Sequence, residues 1–219
     1  LKADGLLGSI LFSFGLFMII IFGMKLYTGM VVDIPEIPLK NWWQLIVCFL
    51  FNSVGILISV AIIKLTIIGD NLSFLAEIIV MKKLNGGLLS AFASSVLCGM
   101  LITLSVLSGR TAKTKSLSGT VGILFPVLMF VYLGLDHSVA NQIYFFLAMP
   151  ELTLELAAYV LLTVIGNAIG GVILPLVLKF GKSGDESVLS LPANHETKIS
   201  DNVIGIKKEP DNSEAPEKL

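Results

Sequence analysis

Leu133-Gly134-Leu135-Asp136-His137-Ser138-Val139-Ala140-Asn141 interrupts a long apolar run, 117–149. As one continuous helix that run would rise about 50 Å, well beyond a hydrocarbon core of about 30 Å. It must tilt steeply or break. Gly134 and the polar residues after it mark the interruption, and Pro126 upstream lacks a backbone donor. His137 would then sit at bilayer depth, where an ionisable side chain costs about 3 kcal/mol on insertion scales. Such a residue faces a cavity and handles a charge, or it serves as hydrogen-bonding glue between helices.

A second run, 5–32, repeats the habit and is likewise too long for a single straight span. It is apolar as far as Phe22 and then reads Gly23-Met24-Lys25-Leu26-Tyr27-Thr28-Gly29. Each run reads as a half-helix, a polar kink and a second half-helix. Non-helical backbone at that depth is tolerated only where protein or water satisfies it, so paired broken helices point to a substrate path between repeats. Three plainer segments, 41–63, 86–107 and 156–178, carry no charge, and each is long enough to span as one helix. In the last of them Gly166, Gly170 and Gly171 offer a small-residue face for close helix contact.

Composition fixes the solvent. With 55% hydrophobic residues, 14% charged and a mean hydropathy of +0.88, the chain lies far from the roughly 25% charged content of soluble domains. It reads as an all-α integral membrane protein. The net charge of -1 and the lack of a Lys/Arg patch give no sign of a nucleic-acid partner. Cys48 and Cys98 fall inside apolar spans and read as packing residues rather than a disulfide or metal pair. One spanning histidine is too few for a haem b, which needs two axial ligands, and nothing indicates another cofactor or an enzyme.

The loop 108–116 holds the strongest basic cluster. Taken as cytoplasmic, it groups Lys40, Arg110, Lys113, Lys115, Lys179 and Lys182 inside, against Lys2, Lys64, Lys82 and Lys83 outside. The C-terminus is then inside and, with five spans, the N-terminus outside. Because the chain opens with Leu1, residues 1–180 are expected to be a transmembrane domain lacking its first span. Residues 181–219, rich in Ser, Glu, Asp, Asn, Lys and Pro and containing His195, are expected to be a disordered cytoplasmic tail.

The segments Phe12-Ser13-Phe14-Gly15-Leu16 and Gly23 to Gly29 resemble the second-helix signature of the formate/nitrite transporter family. Ala91-Phe92, Val96-Leu97-Cys98, Pro126-Val127 with Met129-Phe130-Val131, Asp136 to Asn141, and Gly166-Asn167 with Ile169-Gly170-Gly171 follow in that family's order and spacing. The resemblance implies an aquaporin-like inverted-repeat bundle with two broken helices, of whose six spans five are present here. It implies a homopentamer in the cell (plasma or inner) membrane, each protomer conducting small monovalent anions such as formate, nitrite or hydrosulfide. It also implies residue roles. Leu16 and Phe130 look like the central apolar constriction, with Phe12, Leu26 and Tyr27 around the cytoplasmic one. Thr28 looks like the hydroxyl facing His137, Lys83 like the outer-vestibule lysine, and Asn141 like the amide beside it.

Three positions depart from the family pattern: Lys25 stands for an acid, Met30 for an Asn, and Gly99 for an Asn. An acid-to-base change near a pore alters the field felt by an anion by several kcal/mol, about 4 at an effective dielectric of 20. The expected chemistry follows from dehydration. Stripping an anion at an apolar collar costs an idealised 20 kcal/mol or so, whereas protonating a carboxylate of pKa about 4 at pH 7 costs roughly 4 kcal/mol. His137 can lend and recover such a proton, and Lys83 and Lys25 would gather anions at the two mouths. Asp136 either keeps the ring protonated or caps the second half-helix; Asn167 reads as a structural interhelical hydrogen-bonding residue, and Asn141 as either structural or pore-lining. The competing functions are a non-conducting scaffold or sensor acting through the tail, and a channel for neutral solutes whose flux ignores His137.

Overall fold

Both long apolar runs break, each time at a glycine. The computed structural model describes residues 2–111 and 117–181; the expected tail with His195, and Lys113 and Lys115 of the basic loop, lie outside the described residues. Helix α1 (Lys2–Ile21) gives way at Gly23 (φ 64°), and α6 (Leu117–Tyr132) at Gly134 (φ 69°). The two ends are built alike. Gly23 N–H donates to Ile20 O and Met24 N–H to Ile19 O, just as Gly134 N–H donates to Val131 O and Leu135 N–H to Phe130 O. Such a cap needs a left-handed residue at its centre, which only glycine supplies without strain.

After a short extended stretch the first run resumes as α2 (Tyr27–Met30) and a single tight turn, Val31–Asp33, before Pro35 and Pro38. The second half-helix expected there is therefore little more than a turn. After the other break, α7 (Asn141–Ala148) is a proper two-turn helix. Pro126 lies inside α6 and does not end it; Gly134 does.

The three uninterrupted segments are α3 (Trp43–Lys64), α5 (Leu88–Thr111) and α8 (Leu154–Gly181), each long and apolar enough to cross a membrane. The chain is thus a multi-pass integral membrane protein of all-helical class. One helix escaped the sequence reading. Helix α4 (Gly69–Asn85) carries Asp70, Glu77, Lys82 and Lys83, so it lacks the charge-free run that marks a span. Its Ala76 and Val80 are nonetheless buried, and Ala76 clusters with Val60 of α3 and Leu147 of α7.

Helices α5 and α8 meet backbone to backbone. A Cβ placed on Gly170 would lie 1.9 Å from Val96 O, and one on Gly99 would lie 2.4 Å from Asn167 O. The small-residue face of α8 does what its spacing promised. Gly99, one of the departures from the family pattern, is the matching notch on α5: any side chain there would strike the α8 backbone. Against this pair packs the main apolar cluster, Leu16, Val32, Cys98, Ile102, Val106, Val127 and Phe130. Both cysteines are free, and Cys98 is a fully buried member of that cluster.

Candidate functional site

His137 is fixed by the break in which it stands. Its Nδ1 accepts the backbone N–H groups of Val139 (3.1 Å) and Ala140 (3.0 Å), and its carbonyl accepts Asn141 N–H at 2.8 Å to start α7. Two donors pointing at Nδ1 leave the ring proton on Nε2. That nitrogen lies 3.2 Å from Thr28 Oγ1, across 109 residues of sequence. Thr28 and His137 are 2% and 3% exposed, so the pair sits in the interior.

A buried apolar cluster adjoins the pair. The Phe130 ring lies 5.5 Å from the His137 ring, and Phe12 meets Phe130 edge-on at 5.8 Å. Leu16 and Phe130 belong to one buried cluster, with Phe12 and Leu26 packed against it. Four of the five expected constriction residues therefore gather. Tyr27 turns the other way. It clusters with Val31, Leu45 and Val139, stacks edge-on against Phe49 at 5.3 Å, and donates its hydroxyl to Val164 O at 3.1 Å. Met30 packs on the same cluster.

Lys83 and Asn141 also come together, but through an acid. Lys83 Nζ lies 2.7 Å from Asp136 Oδ1, which accepts Asn141 Nδ2 at 3.0 Å and the Tyr159 hydroxyl as well. The lysine does not stand free in a vestibule, and Asp136 does not touch the histidine beside it. Adjacent residues of an extended segment point to opposite sides, so Asp136 faces α4 and α8 while His137 faces Thr28. The ion pair is mostly buried, and removing one partner strands the other charge. Lys83→Met should therefore lower unfolding stability by about 3 kcal/mol. Adding Asp136→Asn should recover part of that loss in thermal melts of the detergent-solubilised protein. A double variant as unstable as the sum of the singles would show that the pair is not coupled.

Asn167, on α8, holds the break itself: its Oδ1 accepts Ser138 N–H at 2.8 Å, and its Nδ2 donates to Asp136 O (2.9 Å) and Ser95 O (2.8 Å). Tyr159 and Ser94, whose Oγ accepts Asp136 N–H at 2.9 Å, were not legible as site residues. A tyrosine hydroxyl inside an apolar span was the available signal, since a buried O–H there needs a partner. At the other end, Arg110 of α5 pairs in bidentate fashion with Asp33 after α2. Among the described residues no cluster of His, Cys, Asp and Glu could hold a metal.

The formate channel FocA of Haemophilus influenzae is 28% identical over 152 residues, which is 63% of this chain and 51% of that protein. The chain thus spans about half the length of the curated relative it matches. A solved structure, a pentameric formate channel with formate bound, superposes with a TM-score of 0.59 at 24% identity, covering 83% of this chain and 82% of that one. That likeness establishes the fold, an aquaporin-like bundle with two broken helices. The model of the formate/nitrite transporter family matches residues 2–181, essentially every helix described above, and the chain belongs to that family.

Proposed function

We propose that this protein conducts small monovalent anions of weak acids, of the formate, nitrite or hydrosulfide class, through each protomer of a homopentamer. The observation that carries the proposal is the interior Thr28–His137 pair beside the Leu16/Phe130 collar. A dehydrated anion needs hydrogen-bond donors where water is excluded, and the pair supplies an Nε2–H and a hydroxyl. The two relatives described above are formate channels, and the structural one is pentameric, which supports the substrate class and the assembly.

The two amides on Nδ1 shape what the ring does. It meets the anion first as a hydrogen-bond donor, because charging it would set a new Nδ1–H against two existing donors. Proton transfer from His137 is the second reading, favoured by the lower cost of crossing the collar as a neutral acid, and it requires Val139 and Ala140 to release Nδ1. Lys83 and Asn141 belong to the outer approach as parts of the Asp136 network, and Lys25 to the opposite mouth. The orientation proposed is a plasma or inner membrane protein with a cytoplasmic C-terminus.

Flux of labelled formate, nitrite, hydrosulfide and lactate in one proteoliposome preparation tests the function. Saturable or selective passage of at least one of these anions is expected, and none above protein-free vesicles would refute it. The collar adds a sharper expectation. Leu16→Ala with Phe130→Ala lowers the dehydration barrier, so leak should rise and the ratio of fluxes between anions should fall toward one. Unchanged ratios would remove both residues from the path.

A further inference from the structure

The two breaks are related residue for residue: Gly23 corresponds to Gly134, Lys25 to Asp136, Leu26 to His137 and Tyr27 to Ser138, with the same cap hydrogen bonds before them. Each break is also held by an asparagine from an uninterrupted helix that follows it in the chain. Asn167 Oδ1 takes the Ser138 N–H and its Nδ2 gives to Asp136 O. Asn52, in the middle of α3, does the same: Oδ1 takes the Tyr27 N–H at 2.9 Å, and Nδ2 gives to Lys25 O at 3.2 Å. One side chain thus satisfies the two peptide groups that bracket Leu26, as the other satisfies those that bracket His137.

Taking the Thr28–His137 site as the conducting site proposed above, we infer that Asn52 is its second positioning residue, setting Thr28 as Asn167 sets His137. Thr28 follows directly on the clamped Tyr27 amide, and its hydroxyl must reach Nε2 of a ring anchored elsewhere. The helix α2 that carries it has a single turn, too short to hold its own direction. What fixes it is the clamp from α3, together with the Tyr27 hydroxyl on Val164 O. Neither half of the pair is oriented by its own helix alone. An amide is the side chain that suits the task, since one bracketing group is a donor and the other an acceptor.

The test is a cycle of Asn52→Leu, Thr28→Ala and both together, read as anion flux in proteoliposomes and as amide hydrogen exchange over residues 24–30. Asn52→Leu should lower flux about tenfold, the size expected for losing a half-buried hydrogen-bonded clamp, and speed exchange in that segment. Because it acts through Thr28, the double variant should conduct no less than Thr28→Ala alone. Asn52→Asp, which keeps the acceptor for Tyr27 but sets an acceptor against Lys25 O, is the variant to use if Asn52→Leu does not fold, and it should give the same non-additive pattern. Losses that multiply, or wild-type exchange over 24–30 in a folded variant, would overturn the inference. A wild-type protein that carries no anion would refute the proposed function and leave the exchange result to decide the role of Asn52.

Discussion

Replacing His137 with Leu should abolish anion flux, a drop of more than about 100-fold, while the protein still assembles. On the proposed function the ring would offer the anion an Nε2–H where water is excluded, and losing a hydrogen bond to a charged group there costs about 3 kcal/mol. Leu fills similar space and leaves the Thr28 hydroxyl as the remaining donor. His137→Gln separates the two roles open to the ring. Its amide N–H reaches about as far as Nε2 but does not titrate near neutrality. If the ring serves as a donor, His137→Gln should conduct within about tenfold of wild type. Its pH profile should match that of the wild type, because the group that titrates is then not the ring. If instead flux disappears and the dependence between about pH 5 and 8 flattens, the ring itself transfers the proton. Wild-type flux in His137→Leu would reduce the residue to packing.

Gly170→Val should prevent α5 and α8 from closing, with a loss of about 4 kcal/mol or more, at the extreme of single-substitution effects. The first atom it adds would stand 1.9 Å from Val96 O, and the next nearest atoms, Val96 C at 2.8 Å and Cα at 3.0 Å, are also backbone. No rotamer change relieves such a contact. The helices must separate, and with them Asn167 from Ser95 O and the floor of the main cluster. Even Gly170→Ala should melt well below wild type in detergent and elute as a disordered oligomer on gel filtration. A Gly170→Ala protein within about 0.5 kcal/mol of wild type would mean that the helices pack farther apart than described.

Much of the fold was legible because membrane depth is a ruler. The run 117–149 is too long to cross as one straight helix, and so is 5–32, so the breaks after Tyr132 and Ile21 follow from length, and glycine marks where each turns. The three charge-free segments followed from the same ruler, and the α8 glycines announced a close neighbour. Helix α4 was illegible because its burial comes from a few small contacts rather than from a continuous apolar stretch.

The site divides along the same line. His137 stands out in sequence because an ionisable group at bilayer depth is costly, and that cost is local to the residue. What the residue touches is not local. Thr28 reaches it across 109 residues, and Lys83 is drawn to Asp136 rather than left to gather anions. Nothing in the plain span 41–63 singles out Asn52; its two hydrogen bonds to the first break make it the counterpart of Asn167. Spacing could not say that Tyr27 turns toward Val164 while Leu26 packs against both apolar clusters, because only packed neighbours drawn from distant segments choose where each side chain goes. Sequence by itself determined the spans, the breaks and the one costly histidine, since each follows from what a stretch of chain can do in a bilayer. The pairing of donors, charges and clamps was decided by the tertiary structure, because a hydrogen bond depends on positions a few ångströms apart that distant segments must supply together.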